Sequence, residues 1–360
     1  MLELRDLLCF TMEHRGSDLH IKVGARPHVR VDGRLMATPF DKVTPADTEA
    51  VCASITPPER AEELTATGET DFALSIPGLG RFRVNVFRQR GSIGLVIRQV
   101  LVGLPPFESL GLPGSVIRLA DEERGLVLVT GPTGSGRTTT VAAMVDHINA
   151  HRAANIVTIE DPIEVLHADK MGIVNQRELG IDTRDYASAL RRVLRQDPDV
   201  VMIGELGDAE TAKAALAAAS TGHLVLAVMR TTRAAESITH VVGMFPPHDQ
   251  GQVRRILAGC LRGVISQALL ERADGRGRVA AAEVLVGTGR VFDVIVDPEA
   301  KPGELEALMA DGDYYGMQTF DQSLLNLYKN GLVSLRDVLA VSSDPQEFRV
   351  ALSGAGLLTT

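Results

Sequence analysis

Apolar positions alternate with polar ones in the first part of the chain and run continuously in the second, and this change of period divides it. Phe82, Val84 and Val86 alternate with Arg81, Arg83 and Asn85, the period-two pattern of a strand with one buried face. His28 to Asp32 alternates similarly, and Asp32-Gly33 has the chemistry of a hairpin turn. Thr44 to Ile55 predicts a helix. Further on, the short runs Leu126–Val129, Ile156–Ile159, Val200–Ile203 and Leu224–Val228 predict strands covered on both faces. Val141, Met144, Val145 and Ile148 recur at helical spacing. Tyr186 to Arg195 and Ala209 to Ser220 predict helices between the later strands. Strands alternating with helices imply parallel βαβ units, an α/β fold. Asp311 to Leu332 predicts a helix-rich C-terminal region.

Pro and Gly concentrate at Val102–Pro106 and Gly111–Gly114, which interrupts helix and strand alike. The expected organisation is therefore a small α+β domain over 1–101, a linker over 102–114 and a larger domain over 115–360. A chain of 360 residues with 45% hydrophobic content has enough apolar material for a core in each. Net charge of -9 disfavours nucleic acid as a stable partner. The absence of Trp and the few aromatics argue against a base-stacking or sugar-binding surface. No apolar run approaches the ~20 residues of a membrane span. Met1 to Arg15 is broken by Glu3, Arg5, Asp6 and Glu13, unlike a signal peptide. Cys9, Cys52 and Cys260 are too scattered to form a metal-ligand pair. A soluble cytoplasmic protein is expected, with no metal beyond one that accompanies a nucleotide.

The chemistry concentrates at Gly131-Pro132-Thr133-Gly134-Ser135-Gly136-Arg137-Thr138, followed by Thr139. The spacing is that of a phosphate-binding loop, with arginine where lysine is usual. Glycines let backbone N–H groups turn towards phosphate oxygens, and Thr138 is placed to offer its hydroxyl to Mg2+. A buried run precedes the loop and an amphipathic helix follows it, so the helix N-terminus points at the bound anion. Acidic residues stand at the ends of the next strands. Glu160, Asp161 and Glu164 follow the second, and Glu205 follows the third. Open α/β sheets bind ligands at these carboxyl ends. Hydrolysis needs a carboxylate to deprotonate water and cations to neutralise the transferred phosphoryl group. Gly222-His223 enters the fourth strand, and Arg230-Thr231-Thr232 leaves it.

Taken together, these segments resemble the secretion ATPase (GspE–VirB11) superfamily, the ring motors of type IV pili and of type II and IV secretion. The likeness is strongest to its PilT-like pilus-retraction branch. It is carried by Gly16–Ile21, Arg81–Asn85, the loop at 131–138, Thr158–Glu164, Val174–Glu178, Gln196–Asp199 leading to Gly204-Glu205, the segment from Gly222, and Gly316–Asp321. The resemblance implies a PAS-like first domain and a RecA-like ATPase domain, assembled as a homo-hexamer. It implies ATP and Mg2+ as ligands, and Glu164 as general base supported by Glu160 and Asp161. Glu205 becomes the Walker B carboxylate, which shares the metal with Thr138. His223 and Arg230 become nucleotide-contacting groups. Arg81, Arg83 and Arg98 either reach nucleotide across a domain or subunit boundary or are solvated strand charge. The superfamily's assembly ATPases carry a four-cysteine zinc insertion that this chain lacks, which favours retraction over extension. The implied setting is the cytoplasmic face of the inner membrane, peripheral to it, against a pilus platform protein.

Three departures qualify that expectation. Arg137 replaces the Walker A lysine, Arg230 stands where a second histidine is usual, and Gly289–Asp293 replaces an Ala-Ile-Arg-Asn-like motif. Guanidinium keeps the charge but is longer, planar and forked. Three readings follow: a retraction motor driven by ATP hydrolysis; a nucleotide-binding, weakly hydrolysing ring subunit that acts beside a second retraction ATPase; or a DNA-transfer or secretion motor of the same superfamily, which fits the start of the chain and Gly316–Asp321 less well.

Overall fold

Every side chain of the strand Gly125–Thr130 is buried, as an apolar run must be when helices cover both faces of its sheet. The structure is a computed structural model that describes residues 2–31, 34–354 and 357. It divides into two units, Met1–Val102 with Glu164–Leu166, and Gly103–Ile163 with His167–Thr360.

In the second unit a seven-stranded sheet runs in the order Ile173–Glu178, Asn155–Glu160, Val200–Ile203, Leu224–Met229, Gly125–Thr130, Leu261–Glu271 and Arg278–Val286. Neighbours are parallel except the last pair. The chain builds the sheet to one side of Gly125–Thr130 and then returns to its other side. That reversal creates a crevice at the carboxyl end of this strand. Register fixes what lines the crevice: Met229 pairs with Thr130, and Ile203 pairs with both Ala227 and Ile159. The residues that follow all emerge at one edge.

Helices cover both faces. On one, Val141, Met144, Val145 and Ile148 of helix Arg137–His151 are buried against Val127, Val129 and Ile156. On the other, Leu190, Ala215, Val241 and Leu257 pack with Leu126, Leu128 and Val201. The helix expected over Tyr186 to Arg195 spans Tyr186–Val193, and that over Ala209 to Ser220 forms as expected. Helices Phe320–Lys329, Leu335–Val341 and Pro345–Gly354 close over Leu270, Val279 and Ala281. The Pro- and Gly-rich stretch from Gly103 belongs to this unit, with Phe107 buried in its core.

Sequence patterning missed the two strands Leu261–Glu271 and Arg278–Val286. Helix Pro247–Cys260 runs into the first with no intervening turn residue, and its apolar run is interrupted by Ser266 and Gln267. The second is alanine-rich, a composition that favours helix. Burial in the sheet overrides that preference.

The first unit is α+β. Its six-stranded antiparallel sheet runs in the order Arg34–Ala37, His28–Val31, Asp18–Lys22, Ser92–Gln99, Gly80–Gln89 and Glu69–Ile76. Leu19, Ile21, Phe82, Val84, Val86, Leu95 and Ile97 share the face packed on Leu7, Leu8, Val51 and Leu64. Helix Pro45–Ile55 begins on a capping box between Thr44 and Asp47. The turn expected at Asp32-Gly33 lies outside the described residues, although Val31 and Arg34 pair beside it.

Candidate nucleotide site

The loop after Gly125–Thr130 is shaped by positive φ at Gly131, Gly134 and Gly136, a region L side chains avoid. At Gly131 a Cβ would also collide with the Gln267 carbonyl and the Ser135 hydroxyl. The loop is braced from the neighbouring strand. Gln267 Nε2 donates to the Ser135 carbonyl at 2.6 Å, and the Thr130 and Ser266 hydroxyls bond at 2.7 Å. Ser135 Oγ is buried with no partner among the described residues. Pro132, Thr133 and Gly134 are exposed, and helix Arg137–His151 starts where the loop ends. A glycine cradle with an unpaired buried hydroxyl at a helix N-terminus fits a phosphate group. Gln267 carries no motif, and only strand pairing reveals its part.

Arg137 does not simply extend towards solvent. Its Nη1 donates to the Met229 carbonyl at 2.7 Å. Next along the chain, Arg230 Nη2 donates to Glu205 Oε2 at 2.8 Å. Adjacent residues at one strand end thus engage both the loop cation and the candidate Walker B carboxylate. The Glu205 carboxylate also holds Arg230 more firmly protonated than usual. Thr138 and Thr139 are half-buried at the head of the helix.

Glu160 is buried, and its Oε1 accepts from Thr158 Oγ1 at 2.6 Å and Gln176 Nε2 at 3.0 Å. Those bonds make it a brace between neighbouring strands. Asp161 is exposed beside it. Glu164 is exposed and falls in the segment that folds with the first unit, where Val165 and Leu166 pair with Leu101 and Val102. Tyr186 was not singled out by sequence, yet its hydroxyl lies against Gly204, where an added Cβ would meet it at 3.0 Å. Burial, then the carboxylates of Asp161, Glu205 and Glu160, push its ionisation well above the ordinary tyrosine range. It stays a neutral donor among three acids.

His223 lies apart from the loop. It precedes Leu224–Met229, and its carbonyl accepts from Gly125 N, at the amino end of the sheet. Seven residue steps of ~3.3 Å along this strand separate it from Arg230, about 23 Å. Parallel pairing therefore puts His223 at the opposite edge from the phosphate loop. Its Nδ1 bonds instead to the Ala218 carbonyl at 3.1 Å. In the first unit Arg81, Arg83 and Arg98 share one sheet face, Arg83 directly opposite Arg98. Arg98 Nε donates to Asp18 Oδ1 at 2.7 Å. Burial pushes the Asp18 carboxyl up, but Ser17 and Arg98 outweigh it and hold the group below its usual range.

A phosphate loop opposed by a strand-end carboxylate in a parallel sheet defines the class: a P-loop nucleotide-binding protein of RecA-like architecture. The chain belongs to the family described as Type II/IV secretion system protein, which matches residues 112–301. It is 40% identical over 347 residues to the type IV pilus retraction ATPase PilT of Pseudomonas aeruginosa, covering 96% of this chain and all of that one (100%). It is 38% identical over 351 residues to the type IV pilus ATPase PilU of the same organism, covering 98% and 91% of the two chains. Among solved structures it resembles the pilus retraction motor PilT with bound ADP, at a TM-score of 0.88 and 42% identity, over 96% of this chain and 99% of that one. No helix among the described residues is long and apolar enough to cross a membrane.

Proposed function

We propose that this chain is an ATP-driven motor subunit of the pilus-retraction class. It works as a homo-hexamer at the cytoplasmic face of the inner membrane, against a membrane platform protein. The observation that carries the reading is the convergence of the 131–138 loop, Thr138 and Glu205 on one sheet edge, in a chain similar over nearly its full length to PilT. Loop N–H groups and the helix N-terminus hold the phosphates of ATP. Thr138 and Glu205 are the groups that would hold Mg2+, which when bound neutralises phosphate charge. Glu164 is the general base for the attacking water, and Arg81, Arg83 and Arg98 supply positive charge towards nucleotide. Coupling hydrolysis to ring motion drives pilus retraction and twitching.

One observation favours a second reading. Arg137 spends a strong hydrogen bond on the Met229 carbonyl, which supports slow turnover and an accessory role beside a competent retraction ATPase. Steady-state phosphate release with Mg-ATP, against a Glu164→Gln protein prepared identically, separates the two. Turnover that disappears in Glu164→Gln supports the motor. No turnover above that control overturns it and leaves the accessory subunit.

A further inference from the structure

A cavity of about 480 Å3 opens between the turn after the edge strand Ile173–Glu178 and helix Tyr186–Val193. Arg177, Arg184 and Arg192 line it together with Asp182, Ser188 and Ile181. Three guanidinium groups face one carboxylate, that of Asp182, across this cavity, so its wall carries net positive charge, although Arg184 and Arg192 are exposed and solvent softens their mutual repulsion. The carboxylates here accept backbone N–H bonds and make no ion pair with these arginines among the described residues. Asp182 Oδ2 accepts from Glu178 N at 2.8 Å, and Asp185 caps the helix through Ser188 N at 2.6 Å. Hydrogen bonds from Ser188, and after them the charges of Arg191 and Arg184, hold the Asp185 carboxyl below its usual range. Neither Arg184 nor Arg192 has a side-chain hydrogen bond among the described residues. Arg177 Nη2 reaches the Asp182 carbonyl at 3.0 Å, while its Nη1 is buried and unpartnered among the described residues. A buried, unpaired charged donor calls for an acceptor that the chain itself does not supply.

We propose that this cavity is a second anion site, which takes a small organic phosphate. Planar, forked guanidinium matches phosphoryl oxygens in pairs, and no lysine lines the cavity. Ile181, 52% exposed, gives an apolar wall for the rest of the molecule. The volume falls within the ~300–1,000 Å3 of small-molecule sites, more than bare phosphate fills. Four strand spacings of ~4.8 Å separate the edge strand from Gly125–Thr130, about 19 Å. The site is therefore distinct from the phosphate loop, and it does not depend on whether ATP is hydrolysed.

The test is calorimetric titration of the full chain with inorganic pyrophosphate, which both sites should accept. Wild type is expected to bind two equivalents, of which ADP displaces the one in the loop. Arg184→Gln with Arg192→Gln should abolish or weaken the other, by about tenfold or more per guanidinium removed. The loop equivalent and the melting temperature should be unchanged. Arg184→Lys with Arg192→Lys should fall between. A single equivalent in wild type overturns the proposal, as does full binding by the glutamine pair. Lysine variants that bind as tightly as wild type overturn the forked contact. A glutamate-rich peptide that displaces this pyrophosphate more effectively than an organic phosphate would overturn the ligand class in favour of an acidic protein segment.

Discussion

Replacing Arg137 with lysine tests whether the loop cation is held back from its phosphate. Arg137 Nη1 lies 2.7 Å from the Met229 carbonyl. A hydrogen bond with one charged partner contributes roughly 1.5–3 kcal/mol. Drawing the guanidinium onto a transferring phosphoryl group gives up or shares that bond, so the transition state forfeits a similar amount. Each ~1.4 kcal/mol is tenfold in rate, so the forfeit is about 10- to 100-fold. Lysine's ammonium is compact and sits on a shorter stem. It presents no second nitrogen to the carbonyl and points into the loop, where water can satisfy the Met229 oxygen. Arg137→Lys is therefore expected to raise steady-state phosphate release by about 10- to 100-fold, with ADP affinity nearly unchanged. Both proteins are assayed with Mg-ATP beside their Glu164→Gln counterparts, which subtracts contaminating activity. Turnover that is unchanged or lower in the lysine protein refutes the reasoning, because the guanidinium would then act from where it stands.

Two further outcomes are expected. Gly204→Ala puts a Cβ at 3.0 Å from the Tyr186 hydroxyl and 3.2 Å from both Glu160 Cα and the Ile159 carbonyl. Overpacking of this kind costs ~1–3 kcal/mol and displaces the adjoining Glu205. Melting temperature and phosphate release should both fall, and Tyr186→Phe in the same protein should recover only part, since the two backbone contacts remain. For Asp18→Asn, the sign follows from a carboxyl held below its usual range in the folded chain. The stabilisation is present above the unfolded aspartate value and is lost as pH falls through the folded one. The variant should melt below wild type near about pH 7, and the gap should close towards about pH 3. A gap independent of pH would show that packing, rather than the Arg98 pair, is what the substitution removes.

Much of the architecture is legible in the chain because burial leaves a one-dimensional trace. Val200–Ile203 and Leu224–Met229 are covered on both faces, so their runs are unbroken. Phe82, Val84 and Val86 are covered on one, so theirs alternates. Gly131 to Thr138 is readable since its backbone shape demands glycine at fixed spacing. Ser266 and Gln267 interrupt an apolar run, and so hid the strand whose amide braces the loop. What sequence alone determined, then, is many of the strands and helices, though not Leu261–Glu271 or Arg278–Val286, and which residue types the phosphate loop contains. The tertiary structure decided which ends meet. Parallel register carried Arg230 to Glu205 and took His223 about 23 Å away. It turned Glu160 into a strand brace, set Tyr186 among the acids, tied Arg137 to a carbonyl 92 positions on, and gathered Arg177, Arg184 and Arg192 around one cavity. The physical reason is that hydrophobic period records burial along a single element. Hydrogen bonds and ion pairs depend on distances between elements, which no local pattern encodes.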